Sequence, residues 1–339
     1  MEILNLFGST QDAFYYDLSK MYASAVFRPA GTQHVFASVA PDGLWRFGQE
    51  PDRLGDPLPL AQAIGAMPAV DLVVPHMFCR AGMTTYRALM EDIVGQPVMG
   101  APATVAGLAT SKIWTRDIVS AAGVRVAEGS VVERGRVADL PLPYVVKPNS
   151  EDNSLGVSIV RRACEVERAV CEASKYDDVV LAEAYIPGRE IRVAVIEMDG
   201  ALHVPAMIEY PVSEARPIRE MADKLEPTGD PGPMRQSRRS DAQPICPAVV
   251  SPDLAQRLAS AARAAHKAMG ARHYSLFDFR VHAETGDIYL LEAGLFWSFS
   301  SLSAISKMLA GEGQDPAEVT HRLWSSAVAC HRSSKSKAA

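Results

Sequence analysis

Short apolar runs that end at a charged residue constrain the fold of this chain more than any other feature of its sequence. Residues 144–148 (YVVKP) are an example, because an apolar, strand-like run ends at Lys147 and at a proline that interrupts strand pairing. A long side chain at such a strand end can reach into a cleft. Two lysines, two glutamates and two late carboxylates form an ordered series of charged residues along the chain. In chain order they are Lys112, Lys147, Glu183, Glu190, Asp278 and Glu292.

The composition narrows the class of protein. The chain has 339 residues, of which 48% are hydrophobic and 22% charged, enough to bury cores in two or three domains. A formal net charge of -6 disfavours a nucleic-acid partner, since such proteins concentrate lysine and arginine on their surface. No apolar run approaches the roughly 20 residues that span a bilayer, and no secretory leader opens the chain. We therefore expect a cytoplasmic protein without a membrane partner. Its five scattered cysteines indicate neither a disulfide framework nor a zinc site.

Apolar runs alternating with helical stretches predict an α/β fold in three blocks. The first domain, residues 1–102, contains strand-like runs at 3–8 and 70–75. The second, residues 103–185, contains a helix that carries Lys112, a strand at 124–132 and a proline-rich joint at Pro141 and Pro143.

The third domain is predicted over residues 186–330. It contains strands at 191–197 and 202–208, a helix at 251–269, and a hairpin with arms at 275–282 and 287–293. Residues 211–243 include five prolines and have almost no periodicity, which is typical of a functional or disordered loop. Residues 331–339 are predicted to be a disordered tail.

The residues around these charges indicate nucleotide chemistry, although each motif has a plainer interpretation. Residues 149–158 are small, polar and glycine-containing, so their backbone N–H groups could fold over phosphates, or they could simply form a hairpin loop. Glu183 and Glu190 flank a strand and turn that could receive an adenine edge, or they could lie at a solvated strand end. Asp278 and Glu292 lie on the two arms of the hairpin, where they could share Mg²⁺ or form a polar cross-strand pair.

Taken in order, these motifs resemble the ATP-grasp superfamily, and within it the D-alanine:D-alanine ligase group, across roughly residues 65–315. The matching segments are residues 75–76 with 82–91, 108–112, 146–148, Glu183 with 188–190, 246–248, and 289–293. The resemblance implies three α/β domains with ATP held between the central and C-terminal domains. It also implies a homodimer that acts on small amino-acid substrates.

The resemblance assigns roles to individual residues. Lys112 and Lys147 would hold the ATP phosphates, Asp278 and Glu292 would bind Mg²⁺, and residues 211–243 would form a mobile lid whose Lys224 closes on the γ-phosphate. The other residues expected to contact the nucleotide are Ser154, Glu183, Ala184, Ile186 and Glu190.

The chain departs from the family pattern at two polar positions. Gly294 replaces an asparagine that supplies a metal ligand, and Leu276 replaces an arginine. We therefore expect Arg192 or Arg280 to stabilise the reacting acyl centre, with Arg192 favoured; alternatively, Arg192 is a strand-surface residue.

The chain also departs from the family pattern in the two segments that the resemblance places at the substrates. Aromatic residues stand at 14–16, and the segment 295–301 (LFWSFSS) replaces small residues. Such aromatic residues could equally be core, and serines at a helix start could cap it. The residues expected to meet the substrates are Tyr15, His76, Ser300 and Ser303, together with Ser298 as a catalytic residue.

The sequence thus predicts an ATP-dependent carboxylate–amine ligase whose substrates are not two D-alanines. The alternatives are an intramolecular cyclo-ligase, a degenerate nucleotide-binding protein without ligase activity, and a bicarbonate-dependent carboxylase.

Overall fold

The computed structural model describes residues 1–132, 140–151, 154–227, 234–237, 239 and 243–338. The N-terminal part of the chain forms a mixed five-stranded sheet. Its strand order is β4-β3-β2-β1-β5, and β1 is parallel to both β2 and β5. The pairing of β1 with β5 confirms the two strands predicted in the first block. The strands are β1 (Glu2–Gly8), β2 (Gln33–Val39), β3 (Trp45–Glu50), β4 (Arg53–Leu54) and β5 (Leu72–Pro75). The helices of this part are α1 (Ala13–Ser24), α2 (Leu60–Gly65), α3 (Arg80–Met83) and α4 (Thr85–Ala88), followed by a π-helical turn at Leu89–Ile93.

A four-stranded antiparallel sheet follows, in the order β6-β9-β7-β8. Its strands are β6 (Gly129–Val132), β7 (Tyr144–Pro148), β8 (Ser158–Val160) and β9 (Val180–Ala184). The helices are α5 (Ala103–Thr110), α6 (Lys112–Ala121) and α7 (Val166–Ala173), with a 3₁₀ turn at Ala163–Glu165.

The third sheet is antiparallel and centres on the long strand β10, which pairs with β11, β12 and β15, while β15 also pairs with β16. Its strands are β10 (Gly188–Met198), β11 (Ala201–His203), β12 (Ile208–Tyr210), β15 (Tyr274–His282) and β16 (Ile288–Gly294). A small hairpin, β13 (Leu225–Pro227) with β14 (Met234–Gln236), lies in the segment 211–243 after α8 (Met221–Lys224). The later helices are α9 (Pro252–Met269), α10 (Ala304–Gly311) and α11 (Pro316–Ala338).

Helix α9 shows how local sequence sets these boundaries. Ser251 caps its N-terminus by accepting a hydrogen bond from the backbone N–H of Leu254 at 3.3 Å, and Pro252 occupies the first turn, where no amide donor is needed. Gly270, at a φ of 66°, ends the helix in the left-handed conformation. Its buried face packs on β10 and β15, which holds these strands in place beneath the candidate site.

Three predicted elements differ from the structure. In the predicted strand 124–132 only residues 129–132 join the central sheet, because Val126 instead bridges to Leu290 of β16. The predicted strand 202–208 is divided into β11 and β12, since Pro205 between them has no amide hydrogen for the ladder. Helix α11 extends to Ala338, into the range 331–339 for which a disordered tail is predicted, and Ala339 lies outside the described residues.

The domain boundaries remain predictions. The three larger sheets fall within the three predicted ranges. Helices α5 and α6, however, pack against β16 and α9 of the third range. No helix in the described part of the chain is long and apolar enough to cross a bilayer.

Candidate active site

Most of the charged residues singled out above line two neighbouring cavities. The larger has a volume of about 680 Å³ and the smaller about 110 Å³. Lys112, Lys224, Asp278 and Glu292 line both, so the cavities meet at these residues. The smaller cavity lies between the sheet of β7 and β9 and that of β10, β15 and β16. It is also lined by Lys147, Ser154, Glu183, Ala184, Ile186, Glu190 and Arg280.

Lys147 and Glu183 form a buried ion pair across neighbouring strands. The Nζ of Lys147, at the end of β7, donates to Oε2 of Glu183 on β9, and both side chains are less than a tenth exposed. Nη1 of Arg116 lies 3.4 Å from the other carboxylate oxygen. One carboxylate therefore stands between two cations, and the group keeps a net positive charge that suits a phosphate-binding surface.

Lys112 is fixed by the start of helix α6. Ser111 caps this helix by accepting from the N–H of Trp114 at 3.3 Å, and the amide oxygen of Asn149 accepts from the N–H of Ile113 at 3.0 Å. These bonds tie α6 to the end of β7. The Nζ of Lys112 donates to the backbone oxygen of Glu151 and lies 3.9 Å from Oε2 of Glu292. The lysine thus links the loop after β7 to the carboxylates of the third sheet.

Asp278 and Glu292 are direct cross-strand neighbours on β15 and β16. Arg192, opposite Asp278 on β10, forms a double hydrogen bond to its carboxylate. Burial would raise the pKa of Asp278, but the charge and hydrogen bonds of Arg192 outweigh it and hold that pKa below its ordinary value. The carboxylate is therefore ionised.

These two carboxylates fit the magnesium ion that the sequence implies. Mg²⁺ prefers oxygen ligands and is commonly held by one or two carboxylates together with water and substrate phosphates. No group of three or more His, Cys, Asp or Glu side chains placed to hold a metal ion occurs among the residues that the structure describes.

Glu190 is the centre of a second buried charge cluster. Its carboxylate accepts from Nε of Arg219 at 2.6 Å and lies 3.4 Å from Nη2 of Arg280. The guanidinium of Arg219 also stacks over the ring of Tyr210, 3.5 Å from its centre. Arg219 was not anticipated, since nothing in the sequence distinguishes it from the other arginines of residues 211–243.

Described residues of the segment 211–243, among them Arg219 and Lys224, line both cavities. The Nζ of Lys224 donates to the hydroxyl of Ser154 at 3.2 Å, which joins this segment to the loop after β7. Strand β14 lies against helix α1, so the segment also meets the first domain. Residues 228–233, 238 and 240–242 of this segment, and residues 152–153 of the expected phosphate loop, lie outside the described residues.

Three of the five expected substrate residues lie at the larger cavity: Tyr15, Ser298 and Ser303. Ser298 is hydrogen-bonded to Ser300 at 2.8 Å, and Ser303 caps helix α10.

The predicted substrate role of His76 does not fit its position. Its side chain is fully buried, its Nε2 bonds to Oδ1 of Asn5 at 3.1 Å, and burial lowers its pKa to about 3. Ser300 is likewise fully buried and reaches the cavity only through Ser298, so neither His76 nor Ser300 lines either cavity.

Comparison with known proteins agrees with this geometry. A family model described as the D-ala D-ala ligase C-terminus matches residues 119–325. The D-alanine–D-alanine ligase of Geobacter sulfurreducens is 33% identical over 235 residues, which are 67% of this chain and 67% of that protein. The corresponding protein of Citrifermentans bemidjiense is 32% identical over 68% of this chain and 70% of its own length.

Solved structures share the fold at lower identity. The VanG D-Ala:D-Ser ligase from Enterococcus faecalis superposes with a TM-score of 0.77 at 22% identity, covering 95% of this chain and 98% of that one. The D-alanine-D-alanine ligase from Coxiella burnetii gives a TM-score of 0.78 at 17% identity, covering 99% and 96%. The chain therefore belongs to the D-alanine–D-alanine ligase family of the ATP-grasp superfamily and is an ATP-dependent ligase that forms carbon–nitrogen bonds.

Proposed function

We propose that this ligase joins the carboxylate of one small amino-acid derivative to the amine of another through an acyl phosphate, with Mg²⁺, and that the substrates are not both D-alanine. The observation that carries the proposal is the convergence of lysines and carboxylates from two sheets at the junction of a smaller and a larger cavity. The smaller cavity would take the nucleotide, and the larger one the substrates.

The nucleotide assignments follow from charge and burial. Lys147, Lys112 and Lys224 are the cations available to the phosphates, and their present partners are oxygens that a phosphate could replace. Glu190 is the carboxylate proposed to accept from the ribose hydroxyls. Glu183, Ala184 and Ile186 would meet adenine along the strand and turn between the two sheets, while Ser154 would lie under the closed lid.

The reaction itself needs no protein nucleophile. A substrate carboxylate oxygen attacks the γ-phosphorus of ATP, the bond to the ADP oxygen breaks, and an acyl phosphate forms. The amine nitrogen of the second substrate then attacks the acyl carbon, the bond to phosphate breaks, and the amine loses a proton as the amide forms. Positioning and electrostatic stabilisation supply the acceleration. Bound Mg²⁺, held by Asp278 and Glu292, would offset phosphate charge.

Residues 211–243 are proposed to act as the lid over this reaction. The Lys224–Ser154 bond and the contact of β14 with α1 support this role, because they join the segment to the loop after β7 and to the first domain, and Lys224 lines both cavities. A closed lid would keep water from the acyl phosphate.

Arg192 is the favoured stabiliser of the acyl centre. Arg192 lines the larger cavity beside Asp278, whereas Arg280 lines the smaller cavity and contacts Glu190. The two departures from the family pattern, Leu276 and Gly294, are direct cross-strand neighbours, so the polar groups missing from them would have stood side by side. A cation on the adjacent strand β10 could compensate for that loss.

The test is phosphate release from Mg-ATP with pooled D- and L-amino acids and small derivatives, followed by mass spectrometry of each active pool. A product equal to two substrates minus water supports intermolecular ligation, and loss of water from one substrate identifies a cyclo-ligase. D-Alanine turned over alone as well as any other substrate would contradict the proposed specificity. Phosphate release that requires bicarbonate would point to carboxylation instead.

The homodimer implied by the resemblance is also a proposal. Sedimentation velocity would test it, with a mass near twice that of the 339-residue chain as the expected result.

A further inference from the structure

Four aromatic side chains from separate parts of the chain form one wall of the larger cavity. We call the group Tyr15, Tyr22, Phe78 and Phe296 the aromatic wall. Tyr15 and Tyr22 lie on helix α1, Phe78 follows β5, and Phe296 follows β16. All four line the cavity, and none carries a charge.

The rings of the aromatic wall contact one another in tilted and edge-to-face arrangements. The centre of the Phe78 ring lies 5.5 Å from that of Tyr15 and 5.5 Å from that of Phe296, and the rings of Tyr22 and Phe296 are 5.6 Å apart. These separations are in the range that favours aromatic association. The wall is therefore organised before any ligand arrives.

Three of its four rings are half-buried, and the fourth, that of Tyr15, is 7% exposed. Leu295 and Trp297 are each 1% exposed and pack in the core, whereas Phe296 between them is only half-buried and faces the cavity. Phe78 and Tyr22 are half-buried as well. Large apolar rings that line a cavity instead of filling a core offer a surface for an apolar ligand group.

Beside the reacting centre the cavity is also apolar. Leu276 lies two residues before Asp278 on the same face of β15, and it lines the cavity together with Ile208. A methyl group would cover little of such a surface in a cavity of about 680 Å³. The charged residues at the junction with the smaller cavity would meanwhile meet the carboxylate and phosphate groups.

The geometry points to an amino-acid substrate with an aromatic side chain, seated against the aromatic wall while its reacting carboxylate or amine lies toward the junction of the two cavities, where Lys112 and Arg192 are found. This inference rests on the proposed function and specifies the substrate class of that site.

The test is a competition assay in which D- and L-phenylalanine and D- and L-alanine are supplied together with Mg-ATP, and the products are separated by mass. We expect phenylalanine to enter the product in preference to alanine. Phe296→Ala should lower the ratio of kcat/KM for phenylalanine to that for alanine at least about tenfold, as is typical of one altered contact in a hydrophobic pocket. Phe296→Tyr, which keeps the ring, should retain the preference.

The matched control is Phe47→Ala. Phe47 is a half-buried aromatic residue that stacks on Trp45 in the first sheet and lines neither cavity, so its loss should leave the ratio unchanged. A general loss of stability would lower both kcat/KM values and leave their ratio intact.

The outcomes separate the two proposals. Ligation of alanine in equal or greater amount than phenylalanine would overturn the aromatic substrate and leave the ligase assignment standing. If neither amino acid is ligated, equilibrium dialysis of labelled D- and L-phenylalanine with the Mg-ATP-saturated protein decides the inference. Binding that Phe296→Ala weakens would support the aromatic site without a ligation partner, and absence of binding would overturn it.

Discussion

The carboxylate of Glu183 lies between the cations of Lys147 and Arg116. Loss of either cation would therefore lower the positive charge of this buried group. We predict that Lys147→Ala removes nearly all turnover, at least about a hundredfold, because one phosphate-facing cation is lost from a buried site. Phosphate release under saturating substrates measures the effect. Lys175→Ala is the control, since that exposed lysine pairs only with Glu172 on the protein surface and should keep wild-type activity.

The second prediction for a single residue concerns Glu292. Glu292→Ala should also abolish turnover, because it removes one of the two carboxylates proposed to hold Mg²⁺, and it should raise the Mg²⁺ concentration needed for any residual activity. Titration of activity with MgCl₂ measures both effects. If Lys147→Ala and Glu292→Ala each retain near wild-type activity in folded protein, the assigned site is wrong.

At this scale the sequence located charged residues better than it located substrate contacts. Lys147 and Glu292 each follow an apolar, strand-like run and both line the smaller cavity, while their roles stay predictions. The substrate role predicted for His76 does not fit its position, because its sequence motif carries no information about burial. Arg219 was missed because its role comes from a long-range contact with Glu190.

Among the elements, the lid segment gives the sharpest prediction. Lys224→Ala should lower kcat by about tenfold or more while the affinity for ATP stays near that of the wild type, because Lys224 is proposed to reach the phosphates only when the lid closes against Ser154. Single-turnover phosphate release and binding of a fluorescent ATP analogue separate the two quantities. Lys267→Ala, at the exposed end of helix α9, is the control.

A different result for Lys224→Ala would change the site to which we assign this residue. ATP affinity that collapses while the thermal unfolding midpoint is unchanged would place Lys224 in the primary nucleotide site and not in a moving lid. The double variant with Ser154→Ala should add little to the single variant if the two side chains act together.

Elements with strong local signals were predicted well. Helix α9 has a capping serine, a proline in its first turn and a glycine at its end, and the β15–β16 hairpin has two apolar strand runs on either side of a turn at Thr285 and Gly286. The predicted strand 202–208 failed because its break at Pro205 depends on how the chain pairs with β10. Val126 likewise pairs outside the central sheet, with a partner that is distant in sequence. Hydrophobic periodicity carries no information about such long-range pairing.

For the whole molecule, the order of motifs was enough to predict three α/β blocks and the placement of the charged cleft between two of them. The packing of α5 and α6 on the third sheet was not foreseen, since it is set by tertiary burial and leaves no local pattern. The aromatic wall was only partly anticipated. Tyr15 and Phe296 stood in segments expected near the substrate, but Tyr22 and Phe78 join them only in the folded chain.

Three buried histidines govern how the stability of the whole molecule should depend on pH. Burial lowers the pKa of His34 and of His273 to about 4 and that of His76 to about 3, from an ordinary value of 6.5. Between pH 6.5 and about 4 the unfolded chain therefore binds protons that the folded chain does not. Acidification through this window must favour the unfolded state, by up to about 1.4 kcal/mol per pH unit for each histidine.

We predict that the free energy of unfolding falls by several kcal/mol between pH 7 and pH 5, a window in which ordinary carboxylates stay ionised in both states. Urea unfolding monitored by tryptophan fluorescence at pH 7, 6 and 5 measures this change. His34→Gln should reduce the fall by about 1 to 2 kcal/mol, because a neutral amide takes up no proton in the unfolded chain. A pH-independent free energy of unfolding in the wild type would mean that these imidazoles are protonated in the fold, and the burial argument would then be wrong.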